Sequence, residues 1–318
     1  MPASPRIYSF TTEQAASRSL GLRLLAAQDD ALARRGVFHL AISRGFLATA
    51  LASDSKLRER AIFSKWQVWL ADERLVKVDH DDSNGGDAIR GFFSQVPELK
   101  REQVQTLDES LLGNADACAR WVFRSTVCAE ADELLSREYE SRIRKAFKLS
   151  SPTAVPVFDL ILLGMGPDGH TCSLFPKHAL LSERSRLVAP IEDSPKPPPR
   201  RVTLTLPVLK KARALVFEGW AYVNTDTLST VLRDYAQEDA SLPVSIVGFS
   251  DDDTSAVEWY MDAETVRRFL QLPSPVPSLM SFAGLQARLP CHRHVVCNGP
   301  RIYRKTAQLL ELLYFLGS

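Results

Sequence analysis

The segment Phe158–Gly164 (FDLILLG) constrains the fold of this chain more than any other. Its near-continuous apolar run suits a strand covered on both faces, as in a parallel sheet. Other stretches repeat the signal on either side of it. Val37–Ser43, Trp66–Asp72, Leu187–Ile191, Val202–Leu206, Ala214–Glu218 and Val257–Met261 all read as strands. Helical stretches are expected at Phe46–Ala52, over about 115–147, near Thr225–Tyr235 and around Glu264–Leu270. Ser83–Gly86 (SNGG) reads as loop chemistry ahead of another short helix. Strands alternating with helices predict an α/β fold, a doubly wound, mostly parallel sheet with helices on both faces. There is no internal repeat.

The texture changes near Leu272. LPSPVPS is rich in proline and serine and reads as a linker, followed by a basic, irregular stretch and a final apolar helix. The expected organisation is one domain over residues 1–271 and an extension of unknown fold over 272–318. Lys plus Arg number 39 against 38 Asp plus Glu, a formal charge of +1, which argues against a nucleic-acid binder driven by bulk charge. The 5 cysteines are too few and too scattered for a disulfide scaffold, so a reducing compartment is expected. The start MPASPRIYSF lacks a signal peptide's charged and apolar regions. No apolar run approaches the roughly 20 residues of a membrane span. A cytoplasmic protein with no membrane partner is the expectation, and a monomer is the simplest assembly.

The candidate chemistry begins directly after the strongest strand, at Gly164–Phe175 (GMGPDGHTCSLF). Ligands of open α/β sheets bind beyond the carboxyl ends of strands. A glycine-rich turn there lets backbone N–H groups approach a ligand. Asp168, His170, Thr171 and Ser173 follow at once, and histidine is the side chain best suited to take a proton near neutral pH. The alternative is a purely structural turn with His170 at the surface. The same segment satisfies the G-x-G-x-x-G dinucleotide pattern, with Glu183 at the spacing of a ribose-binding acid. That match is weak here: it lies mid-chain, Asp168-Gly169-His170 fills the place where helix-packing residues usually begin, and Glu183 sits in a charged SERSR run and not at a strand end.

Three further groups could handle an anionic substrate. Asp72-Glu73-Arg74 closes the WQVWLAD strand, where an acid and a base could orient a polar substrate, although such a triplet is more often solvated. Ser43-Arg44-Gly45 makes a small-residue turn into a helix, a natural phosphate position. Lys196, Arg200 and Arg201 lie on the proline-stiffened segment SPKPPPRR, which would present cations with little conformational freedom. Cys291, His292, His294 and Cys297 are metal-capable but too crowded for one tetrahedral site.

Taken together, these motifs resemble the 6-phosphogluconolactonase family. The segments VPVFDLILLGMGPDGHTCSLFP (155–176) and VAPIEDSPKPPPRRVTLTLP (188–207) are its most specific part. Asp72-Glu73-Arg74 with Asp82-Ser83-Asn84 fits its DER…DSN pattern. Leu174-Phe175-Pro176 favours the lactonase branch over the related amino-sugar phosphate deaminases. The resemblance implies hydrolysis of 6-phospho-D-glucono-1,5-lactone, a phosphorylated sugar lactone, with neither a metal nor an organic cofactor. It implies His170 as general base, presented by Asp168 and Gly169. Asp72 would position the sugar or water, and Arg74 would bind the anionic substrate. Ser43, Arg44, Gly45, Lys196 and Arg201 complete the implied binding set, with Arg201 near the phosphate end.

Two positions depart from the family pattern. Its first loop reads S-G-G-S, whereas this chain has Ser43-Arg44-Gly45-Phe46, and Asn224 stands where a lysine is expected. They motivate a second reading, a lactonase-like binding or regulatory protein with little activity.

Overall fold

The computed structural model describes residues 5–43, 54–112, 126–219, 224–234, 241–248, 256–269 and 295–297. Along the chain these form β1 (Arg6–Phe10), α1 (Glu13–Arg35), β2 (Phe38–Ile42), α2 (Ser55–Arg60), β3 (Trp66–Leu70), β4 (Asp72–Arg74), α3 (Asn84–Gly91), β5 (Val104–Gln105) and α4 (Thr126–Ala146). Then come β6 (Leu160–Gly164), β7 (Val188–Ile191), β8 (Arg201–Leu204), α5 (Leu206–Lys211), β9 (Ala214–Gly219), α6 (Thr225–Asp234), α7 (Pro243–Gly248), β10 (Ala256–Asp262), α8 (Ala263–Phe269) and β11 (Val295–Cys297).

The large sheet runs β11-β1-β10-β9-β6-β2-β3-β5, with every pairing parallel. Strand β6 sits near its middle, as its apolar sequence demands, because alternate side chains enter different cores. Leu160 and Leu162 pack with Leu20 and Leu24 of α1, Trp66, Val216 and Tyr260. Ile161 and Leu163 pack with Leu135, Tyr139 and Ile143 of α4, Trp69 and Phe217. The sheet is thus covered by helices on both faces, the doubly wound arrangement expected.

Chain order locates the place where ligands gather. From β2 the chain proceeds outward to β3 and β5, then returns to lay β6 on the other side of β2 and continues through β9 and β10. The direction reverses between β2 and β6, which makes their carboxyl ends the topological switch point. Ser43, just past β2, donates its N–H to Leu162 O of β6 at 3.0 Å, so the two exits are tied together.

Several expectations are corrected. The segments 187–191 and 202–206 do not join the parallel sheet. They form β7 and β8 of a separate antiparallel sheet, ordered β4-β8-β7. The WQVWLAD strand ends at Leu70, and Asp72–Arg74 turns away as β4 to pair with β8. Local alternation cannot announce this, because pairing partners are set by tertiary contacts. SNGG is not loop throughout: Ser83 accepts the Gly86 N–H as an N-cap and α3 starts at Asn84. The N-terminal pair β1 and α1 was not anticipated. The core-facing side of α1 includes Ser17, Gly21 and Gln28, which blur its apolar stripe. Phe46–Ala52, with Arg44 and Gly45, lies outside the described residues, as does the first part of the 115–147 helix.

Candidate active site

The turn after β6 is built to present one imidazole. Gly166 donates its N–H to His170 O and Gly169 donates its N–H to Gly166 O, each at 2.9 Å, which closes the turn on itself. Gly169 has φ +79°, a left-handed conformation that disfavours any residue with a Cβ. A Cβ on Gly166 would lie 2.0 Å from both Nδ1 and Cε1 of His170, so only glycine leaves the ring its place. The outer side of the turn is braced by Thr227, whose hydroxyl donates to Pro167 O at 2.8 Å, and by Val244 N–H on Gly169 O at 3.2 Å.

His170 Nδ1 lies 2.5 Å from Asp168 Oδ1. An ionised carboxylate only accepts, so Nδ1 carries the proton and Nε2 keeps the lone pair. The ring stacks on Phe175, with centroids 4.6 Å apart at 30°. Lys196 Nζ donates to the same Asp168 oxygen at 3.1 Å and stands 3.3 Å from His170 Nδ1. Since Nδ1 holds its own proton, the ammonium acts on the ring as a nearby charge. Burial is the largest influence on His170 and lowers its imidazole below the ordinary value. The hydrogen bond and charge of Asp168 oppose it, the Lys196 charge adds to the lowering, and Asp72 pulls upward. Partial burial raises the Asp168 carboxyl, but His170 and Lys196 outweigh that and hold it below the usual range.

Asp72 is a buried hub. Its Oδ1 accepts from the Ser43 hydroxyl at 2.7 Å and from Asn84 Nδ2 at 3.2 Å, and its Oδ2 accepts from the Ser173 hydroxyl at 2.8 Å. It thereby joins the exits of β2 and β6 to α3. Cys172, next to Ser173, takes the left-handed conformation with φ 51°, uncommon for a residue carrying a Cβ.

The expectation that Asp72-Glu73-Arg74 is most often solvated fails here, since Asp72 and Glu73 are each only 4% exposed. Glu73 accepts from the N–H groups of Arg74, Asn84 and Gly85 and from the Ser83 hydroxyl. Burial pushes its carboxyl up to about 7 against the pull of those donors. Glu73 therefore anchors the start of α3, and Asn84, so placed, donates to Asp72 O at 2.8 Å. Neither residue was assigned a role from the sequence, although the DER…DSN pattern contains both.

Arg74 donates from Nη1 to Asp82 O at 2.8 Å, while its Nε is buried without a hydrogen-bond partner. Arg201 faces Arg74 across the β4/β8 pair. Burial lowers the Arg201 guanidinium to about 10, and the Arg74 charge adds to this. Arg200 points elsewhere, into a buried ion pair with Asp132 of α4.

Asn224 is a helix cap. Its Oδ1 accepts the N–H groups of Asp226 and Thr227 at 2.9 and 3.1 Å. Glu183 bonds to Ser185 and Arg186 nearby, and no helix opens at the glycine turn, where Thr171 and Leu174 form an isolated bridge instead. The dinucleotide reading loses its structural context. Cys291, His292 and His294 lie outside the described residues. Among the described residues no helix is long and apolar enough to cross a membrane.

A histidine–carboxylate pair with Lys196 beside it thus stands at the switch point of a parallel α/β sheet. The chain belongs to the family described as glucosamine-6-phosphate isomerases/6-phosphogluconolactonase, whose sequence profile matches residues 11–259. It is 36% identical over 258 residues to a probable 6-phosphogluconolactonase of Schizosaccharomyces pombe, covering 81% of this chain and 93% of that protein. It is 37% identical over 277 residues to the 6-phosphogluconolactonase of Rattus norvegicus, covering 86% and 96%. The crystal structure of 6-phosphogluconolactonase from Leishmania guyanensis shares the fold, with a TM-score of 0.65 at 23% identity over 83% of this chain and 98% of that one.

Proposed function

We propose that this chain hydrolyses 6-phospho-D-glucono-1,5-lactone to 6-phospho-D-gluconate by His170-assisted attack of water. The observation that carries the reading is the His170–Asp168 pair, with the imidazole held at the switch point and Nε2 left as a base. The named activity of the Schizosaccharomyces pombe and Rattus norvegicus relatives supports the substrate.

In this mechanism a water oxygen attacks C1 of the lactone while Nε2 of His170 takes one of its protons. The carbonyl becomes an oxyanion, and a nearby cation offsets its charge. As the C1–O5 bond breaks, O5 accepts the proton back from the imidazolium. The product is an open-chain hydroxy acid, which ionises to the carboxylate. Asp168 keeps the ring in the right tautomer and stabilises the imidazolium. Asp72, fixed by Ser43, Ser173 and Asn84, orients the sugar or the water. Lys196 and Arg74 face the anionic substrate, with the Ser43 hydroxyl on Asp72 beside them; Arg44 and Gly45 are assigned to substrate binding on the sequence alone. We assign this chemistry to residues 1–271, with 272–318 as an extension whose β11 adds an edge strand beside β1.

The test generates the phosphorylated lactone in situ and follows its decay with wild type, with His170→Ala and with buffer. Accelerated decay by wild type alone is the expected result. Decay at the buffer rate with both proteins overturns the reading and favours a binding or regulatory role.

A further inference from the structure

The segment from Ser194 to Arg201 carries Lys196 into the site and leads into β8. Four of its residues, Pro195, Pro197, Pro198 and Pro199, have no N–H to donate, so its own backbone does little to hold its shape beyond the Ser194 N–H bond to Pro199 O at 3.2 Å. The structure supplies the missing donors from side chains. Ser194 donates its hydroxyl to Lys196 O at 2.8 Å and accepts the Lys196 N–H at 3.3 Å. Arg201 does more. Its Nε donates to Pro198 O at 2.8 Å, and its Nη2 donates to Lys196 O at 2.8 Å and to Pro197 O at 3.1 Å. One guanidinium, 2% exposed, thus fastens three successive carbonyls. It also lies over the Phe175 ring, with Cζ 5.7 Å from the centroid, and Phe175 stacks on His170.

We propose that Arg201 is a positioning residue: it fixes the Lys196–Pro198 backbone so that Lys196 stays on Asp168 and His170, and it holds Phe175 against the imidazole. This deepens the lactonase reading and rests on His170 as its base. An arginine that grips a substrate phosphate keeps its fork open toward the ligand, whereas this one commits three of its five N–H donors to its own chain. Lysine cannot replace it, because a single ammonium on a flexible stem does not span three carbonyls in fixed geometry.

The charged groups acting on the His170 ring are Asp168, Lys196 and Asp72. If Arg201 acts through Lys196, its loss releases the ammonium from the ring and lets water approach, and both effects raise the imidazole pKa. The experiment follows the His170 ring by NMR titration in wild type, Arg201→Gln, Arg201→Lys, Lys196→Met and the Lys196→Met/Arg201→Gln double variant. This readout needs no turnover. The expected result is a rise in both Arg201 variants, in the direction seen for Lys196→Met, with no further rise in the double variant. In kinetics, kcat falls about tenfold or more with KM little changed, the signature of a misplaced catalytic group. Arg201→Lys, which keeps charge and disturbs the fold least, covers the case in which the glutamine variant does not fold. An unmoved imidazole with a raised KM that lysine restores would overturn the proposal and make Arg201 a substrate ligand. Coupled shifts in a wild type without lactonase turnover would support the proposal while removing the reading it deepens.

Discussion

The imidazole of His170 occupies the space beside Gly166 that a side chain would otherwise fill, with Nδ1 and Cε1 each 2.0 Å from where a Cβ would stand. The ring cannot simply swing aside, because Asp168 holds Nδ1 and Phe175 covers its plane. Gly166→Ala is therefore expected to displace the ring and cut kcat/KM by about 10²-fold, the scale of a misplaced catalytic group. The fold should survive with a loss of about 1–3 kcal/mol, typical of overpacking. Lactone decay and denaturant unfolding of the variant check the two halves.

That contact shows what the sequence could and could not disclose. The β6 strand, the glycine turn and His170 were legible because an apolar run and a local motif carry them. The Asp72 hub was not, since its partners Ser43 and Ser173 come from the exits of two different strands. The burial of Glu73 was also hidden. Its donors are backbone N–H groups at the start of α3, and only the fold brings them to a carboxylate. Likewise β7 and β8 look locally like members of the main sheet, but they pair antiparallel with each other, β8 also with Asp72–Arg74, and their apolar residues pack in one core with those of α4. The helix α1 escaped because Gln28, which accepts from Ile62 N–H and Trp66 Nε1, is a polar residue doing a core residue's job.

The pH dependence of the reaction should report the electrostatics of the site. His170 acts as a base only when neutral, so kcat/KM falls on the acid side of its pKa. Burial and Lys196 lower that pKa while Asp168 and Asp72 raise it, and the lowering prevails. The acid limb is expected below the ordinary imidazole value of 6.5. Lys196→Met removes a lowering charge and should move the limb to higher pH. Asp168→Asn removes a raising charge and should move it lower, while also costing about 10²–10⁴-fold in rate through loss of the tautomer-fixing partner. Profiles of kcat/KM against pH for the three proteins share the substrate's own ionisation, so their differences isolate the imidazole.

Glu73 offers a test of how the binding face is held. Glu73→Ala leaves the N–H groups of Arg74, Asn84 and Gly85 without their carboxylate. Unsatisfied buried donors cost about 1–3 kcal/mol each when water cannot replace the partner. A destabilisation of about 2–4 kcal/mol is expected, allowing for partial hydration of the cavity. Asn84 should also loosen from Asp72, lowering kcat/KM in the protein that remains folded. Urea unfolding beside kinetics at a temperature well below the transition separates the two effects.

Stability in acid should depend on a histidine far from the chemistry. His39 on β2 is 2% exposed, stacks on Phe147 and accepts the Trp69 Nε1–H at Nδ1, 3.3 Å away. Burial is the main cause that lowers its pKa from 6.5 to about 3, with the Arg35 charge adding to it. In the unfolded chain the same imidazole protonates as the pH falls below 6.5, while in the folded protein it stays neutral until about 3. The unfolded state therefore binds the extra proton, and folding stability is lost progressively across that window. At about 1.36 kcal/mol per pH unit the full effect is of the order of 4–5 kcal/mol. His39→Gln keeps an acceptor for Trp69 and removes the titration. Its unfolding free energy, measured from pH 7 down to pH 4, should decline less steeply than that of wild type, and parallel curves would show that His39 does not carry the acid sensitivity.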